Sequence, residues 1–155
     1  MNDNEFEVKH LNKTNLLIAE QLFAVLNYVF DVKNPIAAKA PYLNKLLDNP
    51  GFICFAALYK NEVIGGLTAY QLPMYYAECA EMYIYDIAVK PSFQRIGVGK
   101  RLLLAAKEYC KENGIKEMFV DASDQDKKAL DFYRSMQGQK QKVVQFTFKE
   151  SMSFT

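Results

Sequence analysis

The chain has 155 residues, a hydrophobic fraction of 50%, and nineteen lysines and arginines against eighteen aspartates and glutamates. Its length predicts a single domain over 1–155 with a core between 6 and 148, large enough to fold without a disulfide or metal staple. The near-neutral balance excludes a uniformly basic nucleic-acid binder and a polybasic membrane protein.

Phe6 to Leu11 alternates apolar and polar residues, the period of a half-buried strand. Asn12 to Asn15 supplies helix caps, and Leu16, Leu17, Leu22, Phe23, Leu26 and Val29 recur on one helical face. A shorter helix is expected over Tyr42 to Asp48, stopped by Asn49–Pro50–Gly51. Phe52 to Tyr59 and Glu62 to Gln71 read as strands joined by a tight turn at Lys60–Asn61. Met74 to Ala80 is an aromatic loop, and Glu81 to Val89 resumes as a strand rich in Tyr, Ile and Val. After Lys90–Pro91–Ser92 come a glycine-punctuated turn and a helix to Asn113, with Gly114 at its C-cap. A short strand over Met118 to Val120, a helix over Lys127 to Met136 and a last strand over Lys142 to Phe148 complete the chain. This order predicts an α/β (α+β) domain, a mixed sheet flanked by helices.

Leu16 to Phe30 contains Glu20, Gln21 and Asn27, so it falls short of the ~20 apolar residues a bilayer helix needs, and no membrane partner is expected. Met1 to Glu5 is polar and acidic, unlike a cationic signal peptide. Cys54, Cys79 and Cys110 are widely spaced and odd in number, which reads as reduced thiols and a cytoplasmic protein. A single histidine, His10, and no Cys-x-x-Cys pair predict no metal site.

Gln94–Arg95–Ile96–Gly97–Val98–Gly99–Lys100 lies between a predicted strand and a predicted helix. Paired glycines let the backbone approach a ligand, and helix-start N–H groups with the helix dipole favour an anion. Arg95, Lys100 and Arg101 add positive charge, so the turn predicts a phosphate or pyrophosphate site. A dinucleotide fingerprint would need glycine at 102, which is Leu102; a Walker A loop would need glycine at 94 and Ser or Thr at 101, which are Gln94 and Arg101. The plain alternative is an ordinary helix start with a solvated charge run.

The segment Gln94–Arg95-x-x-Gly97-x-Gly99 resembles the acetyl-CoA pyrophosphate motif of the GCN5-related N-acetyltransferases (GNAT). The preceding strand Tyr83 to Val89 and the later Ala129–Leu130–Asp131–Phe132–Tyr133 are similar to that family's central strand and its Ala-x-x-Phe-Tyr segment. Within the superfamily, Leu67–Thr68–Ala69–Tyr70-x-Leu72–Pro73 and Glu81-x-Tyr83–Ile84–Tyr85–Asp86–Ile87–Ala88–Val89 read much like class I aminoglycoside 3-N-acetyltransferases. Where those carry adjacent carboxylates, this chain has Asp126 followed by Lys127 and Lys128, and Ser123 stands at a usually acidic position. The resemblance implies a mostly antiparallel sheet with a splayed central strand pair, acetyl-CoA as cosubstrate, and a small-molecule amine acceptor, with an aminoglycoside as the specific expectation. It also implies that Ile87, Ala88 and Val89 pair with the amide-rich pantetheine arm as an added strand would. The Val89 N–H would polarise the thioester carbonyl. Cofactor contacts are expected from Ile87 to Val89 and from Gln94 to Lys100, that is Gln94, Arg95, Ile96, Gly97, Val98, Gly99 and Lys100. Tyr133 matches the position that protonates the departing thiolate.

An ammonium must lose a proton before it attacks, and a nearby carboxylate can take it. Asp86 and Glu81 are the candidates, with Glu78, Tyr85, Asp86 and Asp126 expected at the acceptor. Five residues separate Glu81 from Asp86, so on a regular strand they face opposite ways unless a bulge intervenes. Asp86, closer in sequence to Val89, ranks first. Tyr70, Tyr75, Tyr76, Tyr83 and Tyr85 form a prospective wall for a cationic ring, or simply suit strands. Cys79, between Glu78 and Glu81, is a poor nucleophile, and His10 lies far in sequence from every motif. The final strand and the tail from Ser151 to Thr155 leave a homodimer open. Between Asn61 and Val89 the charges are Glu62, Glu78, Glu81 and Asp86 alone; from Lys90 to Arg101 they are Lys90, Arg95, Lys100 and Arg101 alone. An anionic block therefore abuts a cationic one at the end of the central strand.

Overall fold

The computed structural model describes residues 6–151. They fall into two compact units, one ending at Asp121 and the other beginning at Ala122. The first contains β1 (Glu7–His10), α1 (Leu16–Val29), α2 (Ala40–Leu47), β2 (Phe52–Tyr59), β3 (Glu62–Pro73), β4 (Ala80–Val89), α3 (Val98–Glu112) and β5 (Ile115–Val120). The second contains α4 (Lys127–Ser135).

Local chemistry sets the boundaries. The Asn12 side chain accepts from the Thr14 N–H at 2.9 Å and the Asn15 side chain accepts from the Asn12 N–H at 3.1 Å, closing a capping box ahead of α1. Lys60 and Asn61 both adopt positive φ, 48° and 65°, the geometry of a two-residue hairpin turn between β2 and β3. Gly114, at φ 67°, releases α3 into β5.

The sheet runs β1-β2-β3-β4-β5. Pairing is antiparallel from β1 through β4, and β4–β5 is parallel. One face packs on α1 and α2 through Leu22, Leu26, Leu47, Cys54, Ala56 and Ala88. Cross-strand register assigns Ile53, Leu67, Met82 and Ile84 to the other face, where Met82 meets Cys110 of α3 at 3.8 Å. The glycine pair in β3 permits this packing. A Cβ at Gly66 would overlap the Leu22 side chain and the Phe55 carbonyl oxygen, and one at Gly65 would lie 2.6 Å from the Ala88 carbonyl oxygen.

The mixed sheet and the divergent strand pair match expectation. β4 pairs with β3 along its whole length, but with β5 only from Ala80 to Ile84. One expected element is corrected: Lys142 to Phe148 forms no strand. Its alternating residues specify the two faces of a strand, but a ladder also needs an edge to pair with, and periodicity does not supply one.

Gly66→Ala should destabilise the protein by about 1–3 kcal/mol, since the new methyl meets backbone as well as a side chain. Urea denaturation measures it, and an unchanged midpoint would show that α1 can shift to make room.

Candidate active site

The centre of the site is a strand that changes character halfway. Thr68 of β3 faces Asp86, whereas its neighbour Ala69 faces Ile84, so Tyr85 is an extra residue in β4. This bulge reverses the parity of everything after it. Leu72 opposes Glu81, Tyr70 opposes Tyr83 and Thr68 opposes Asp86. These pairs share one face, the face that carries α1 and α2. Glu81 and Asp86 therefore look the same way despite their odd separation.

The carboxylates sit among aromatic rings. Tyr83 stacks on Phe119 of β5 with centroids 5.1 Å apart at 17°, and its hydroxyl donates to Asp121 Oδ2 at 3.1 Å. Tyr85 meets Tyr70 and Tyr83 edge-on, each at 5.8 Å, and is 60% exposed. The Tyr76 hydroxyl lies 3.5 Å from Glu81 Oε1, and Glu78 is exposed on the adjoining loop. Asp121 is a site residue that sequence reasoning missed; its signal, a carboxylate directly after a short strand, is common in loops and acquires meaning only when Tyr83 is found beside it.

Asp86 is half-buried. Burial raises its carboxyl above the usual carboxylate range, and the Thr68 hydroxyl, hydrogen-bonded to it, partly offsets that rise. Thr68 is the sole buried polar side chain among the described residues, which makes it a dedicated partner. Burial and the Asp121 hydrogen bond hold the Tyr83 phenol above its ordinary value.

Beyond Ile84, β4 has β3 on one side and no β5 on the other. The Lys90 N–H donates to the Ile64 carbonyl at 2.8 Å, toward β3. Alternation along the strand then points the N–H and C=O of Val89, and of Ile87, toward the vacated side, and those of Ala88 toward β3. Gln94 Nε2 caps the Val89 carbonyl at 3.0 Å, tying the strand end to the glycine turn and leaving the Val89 N–H facing outward together with the N–H and C=O of Ile87.

In that turn Arg95 and Gly97 both take positive φ, 65° and 90°, and Gly97 is the N-cap of α3. The Arg101 N–H bonds the Gly97 carbonyl at 3.0 Å, so the N–H groups of Val98, Gly99 and Lys100 precede the first helical bond of α3. Arg95 and Lys100 are exposed beside them, and Ile96 is half-buried. Two expected cations are engaged elsewhere: Lys90 pairs with Glu62, and the Arg101 guanidinium donates to the Phe6 carbonyl at 2.7 Å and covers the Phe6 ring. A pyrophosphate fits the remaining donor set of turn N–H groups with Arg95 and Lys100, and an amide-rich arm fits the unpaired edge of β4.

The second unit holds the other two expected residues. Tyr133 lies on α4, its phenol pushed up to about 12 by burial and by the Asp126 carboxylate. Asp126 caps that helix, accepting from the Ala129 N–H at 3.0 Å. His10 is exposed, with its ring against Phe55 and Tyr109, and the desolvation from those contacts lowers its pKa. It borders a shallow groove of about 320 Å³ at the β1 edge of the sheet, which includes none of the expected site residues.

The model of the acetyltransferase (GNAT) family matches residues 19–138. No curated protein matches the chain. Among solved structures, an aminoglycoside acetyltransferase (meta-AAC0020) from an uncultured soil metagenomic sample, in complex with sisomicin, is 38% identical, with a TM-score of 0.92 over 95% of this chain and 97% of that one. A second, HMB0005, also from an uncultured soil metagenomic sample, is 30% identical, with a TM-score of 0.85 over 94% and 99%. The aminoglycoside N-acetyltransferase AAC(6')-Iy in complex with CoA shares the fold at 22% identity, with a TM-score of 0.78 over 94% and 95%. β4, the glycine turn and α3 all lie inside the matched region, and the chain belongs to the GNAT family of acetyl-CoA-dependent N-acetyltransferases.

Proposed function

We propose that this acetyltransferase acylates a primary amine of a small polycationic molecule, an aminoglycoside, at its 3-amino group, by direct transfer in a ternary complex. The observation that carries the reading is the bulge at Tyr85, which turns Glu81, Tyr83 and Asp86 to one face of the sheet. There Asp121 adds a third carboxylate and Tyr70 and Tyr85 add ring surface. Carboxylates among aromatic faces suit an acceptor with several ammonium groups on a ring framework. The similarity to proteins named as aminoglycoside acetyltransferases supports the acceptor class, and the strand sequence from Glu81 to Val89 supports the 3-amino position.

Acetyl-CoA brings an activated thioester carbonyl, and the chain supplies the rest. The turn from Gln94 to Lys100 holds phosphates, and Ile87 to Val89 offer a strand edge to the pantetheine amides. Asp86 removes a proton from the acceptor ammonium, directly or through a water, and its raised carboxyl makes it a stronger base than an ordinary aspartate. Glu81, Glu78 and Tyr85 hold further ammonium groups, with Asp126 as the fourth acceptor contact. The Val89 N–H donates to the thioester oxygen as the C–N bond forms and the C–S bond breaks. Tyr133 faces an uphill transfer: a phenol at about 12 is a weaker acid than a thiol near ~8.5. Its role is a hydrogen bond to the sulfur as negative charge develops; the proton it passes to the departing thiolate is replaced by the second proton the nitrogen sheds on becoming an amide, so the phenol ends neutral.

Free-thiol release across a panel of aminoglycosides, polyamines, amino-acid derivatives and peptides tests the acceptor class, and two-dimensional NMR of the product locates the acetyl group. Turnover of peptide amines alone would defeat the small-cation reading, acetylation elsewhere on an aminoglycoside would correct the position, and no thiol release with any amine would point to an inactive CoA-binding module. Asp86→Asn should lower kcat/KM by about 10²–10⁴-fold and remove the acidic limb of its pH profile. Because the native Asp86 carboxyl is raised, ionisation favours the unfolded chain, so this burial cost exists above the unfolded pKa and vanishes below it. The same variant should therefore be more thermally stable than the native protein at pH 7 and equal to it near pH 3; an unaltered pH profile sinks the base assignment. Tyr133→Phe should slow turnover by about 10- to 100-fold with little change in acetyl-CoA affinity, the loss expected for one hydrogen bond to a charged group.

A further inference from the structure

Asp86 stands immediately after the bulge, at the irregular point of its ladder: Thr68 faces it, while the next residue of β3, Ala69, faces Ile84. An interrupted ladder fixes a side chain less firmly than a regular one, and the last torsion of an aspartate has broad wells of its own. Thr68 is held differently. It lies in β3 between Cys54 of β2 and Asp86 of β4, and it is 5% exposed. Strands on both sides hold its backbone, and its branched side chain is stiff at χ1. A hydroxyl on a rigid mount thus meets a carboxylate on a pliant one. That hydroxyl has one proton to give, so it engages one Asp86 oxygen and leaves the second.

The titratable groups around Asp86 are Glu81, Tyr83 and Tyr85 on its own strand, Tyr70 on β3, Cys54 on β2 and, through the Tyr83 hydroxyl, Asp121 after β5. α1 and α2 turn Leu22, Val25, Leu26 and Leu47 to the sheet, and their own titratable groups, Glu20, Tyr28, Tyr42 and Lys45, are exposed. Burial pushes the Cys54 thiol up to about 12 and raises the Tyr70 and Tyr83 phenols, so all three are neutral where a carboxyl titrates. On Asp86 itself burial acts upward and the Thr68 hydroxyl downward.

We propose that Thr68 is a positioning residue of the acetyl transfer: its hydroxyl anchors one oxygen of Asp86 within the sheet and turns the other toward the acceptor amine. The inference rests on Asp86 as the base. On that reading an N–H bond of the ammonium breaks as an O–H bond forms on the free oxygen. The anchored oxygen keeps its bond to Thr68 throughout, so the carboxyl does not turn during the step.

Thr68→Val keeps the shape and removes the hydroxyl, and Thr68→Ser keeps the hydroxyl. Free-thiol release with the fastest amine of the acceptor panel gives the pH profiles. In Thr68→Val the kcat/KM plateau should fall about 10- to 100-fold, through kcat with KM little changed. Its acidic limb should move to higher pH, because a bond to the ionised form is gone. Thr68→Ser should restore the limb and most of the plateau. A valine variant with native limb and plateau overturns the proposal, as does a serine variant no better than the valine one. Carbon-13 NMR of the Asp86 carboxyl, which needs no acceptor, should show the same upward move in Thr68→Val, and an unmoved titration rejects the anchor. In an Asp86→Asn background Thr68→Val should cost nothing further, and an additional loss shows that Thr68 acts through another group. If Asp86→Asn leaves the native profile, the base reading fails and this inference with it; if Asp86→Asn acts as expected and Thr68→Val does not, this inference alone fails.

Discussion

Everything at the site depends on one unequal pairing: β4 keeps β3 along its whole length and loses β5 after Ile84. A strand in mid-sheet spends its N–H and C=O groups on two neighbours. Here half a strand spends them on one. The free edge appears where Gln94 ties the strand end to the glycine turn, so the unpaired strand edge and the turn's N–H groups form contiguous backbone. Gly65 and Gly66 serve the same arrangement from β3, since side chains there would push against the Ala88–Val89 segment and against α1.

The bulge at Tyr85 is the second consequence of that geometry. A regular β4 would have turned Asp86 to the α3 face, among Met82, Ile84 and Leu67, an apolar setting for a carboxylate. One inserted residue brings it round beside Thr68, whose hydroxyl is the polar group buried there. The bulge also pushes Tyr85 outward, 60% exposed, next to Tyr70 and Tyr83. A single insertion therefore aligns Asp86 with Glu81 and displays an aromatic ring beside it.

Sequence periodicity located nearly all the elements because each carries its own signal: Asn12 and Asn15 for a cap, Lys60–Asn61 for a hairpin, Gly114 for a helix end. The glycine turn was legible for the same local reason. The bulge was not, because Ile84–Tyr85–Asp86 reads as uninterrupted strand and the parity change exists only in the register against β3. Asp121 stayed hidden because its partner, Tyr83, is thirty-eight residues away. Lys142 to Phe148 failed in the opposite direction: the pattern is strand-like, but a ladder is a property of two segments.

The opposed charge blocks also change meaning in three dimensions. Of the four cations between Lys90 and Arg101, Lys90 holds Glu62 and Arg101 holds the Phe6 carbonyl just ahead of β1, so those two are fasteners. Arg95 and Lys100 remain exposed at the N-terminus of α3, where the helix dipole reinforces them. On the anionic side Glu62 is likewise committed to Lys90, while Glu81 and Asp86 are joined by Asp121. Near-neutral composition thus resolves into two local fields of opposite sign at the two ends of one half-open strand. An anionic cosubstrate and a cationic acceptor, as proposed above, would each be drawn to the end of opposite sign, with the unpaired edge of the strand between them.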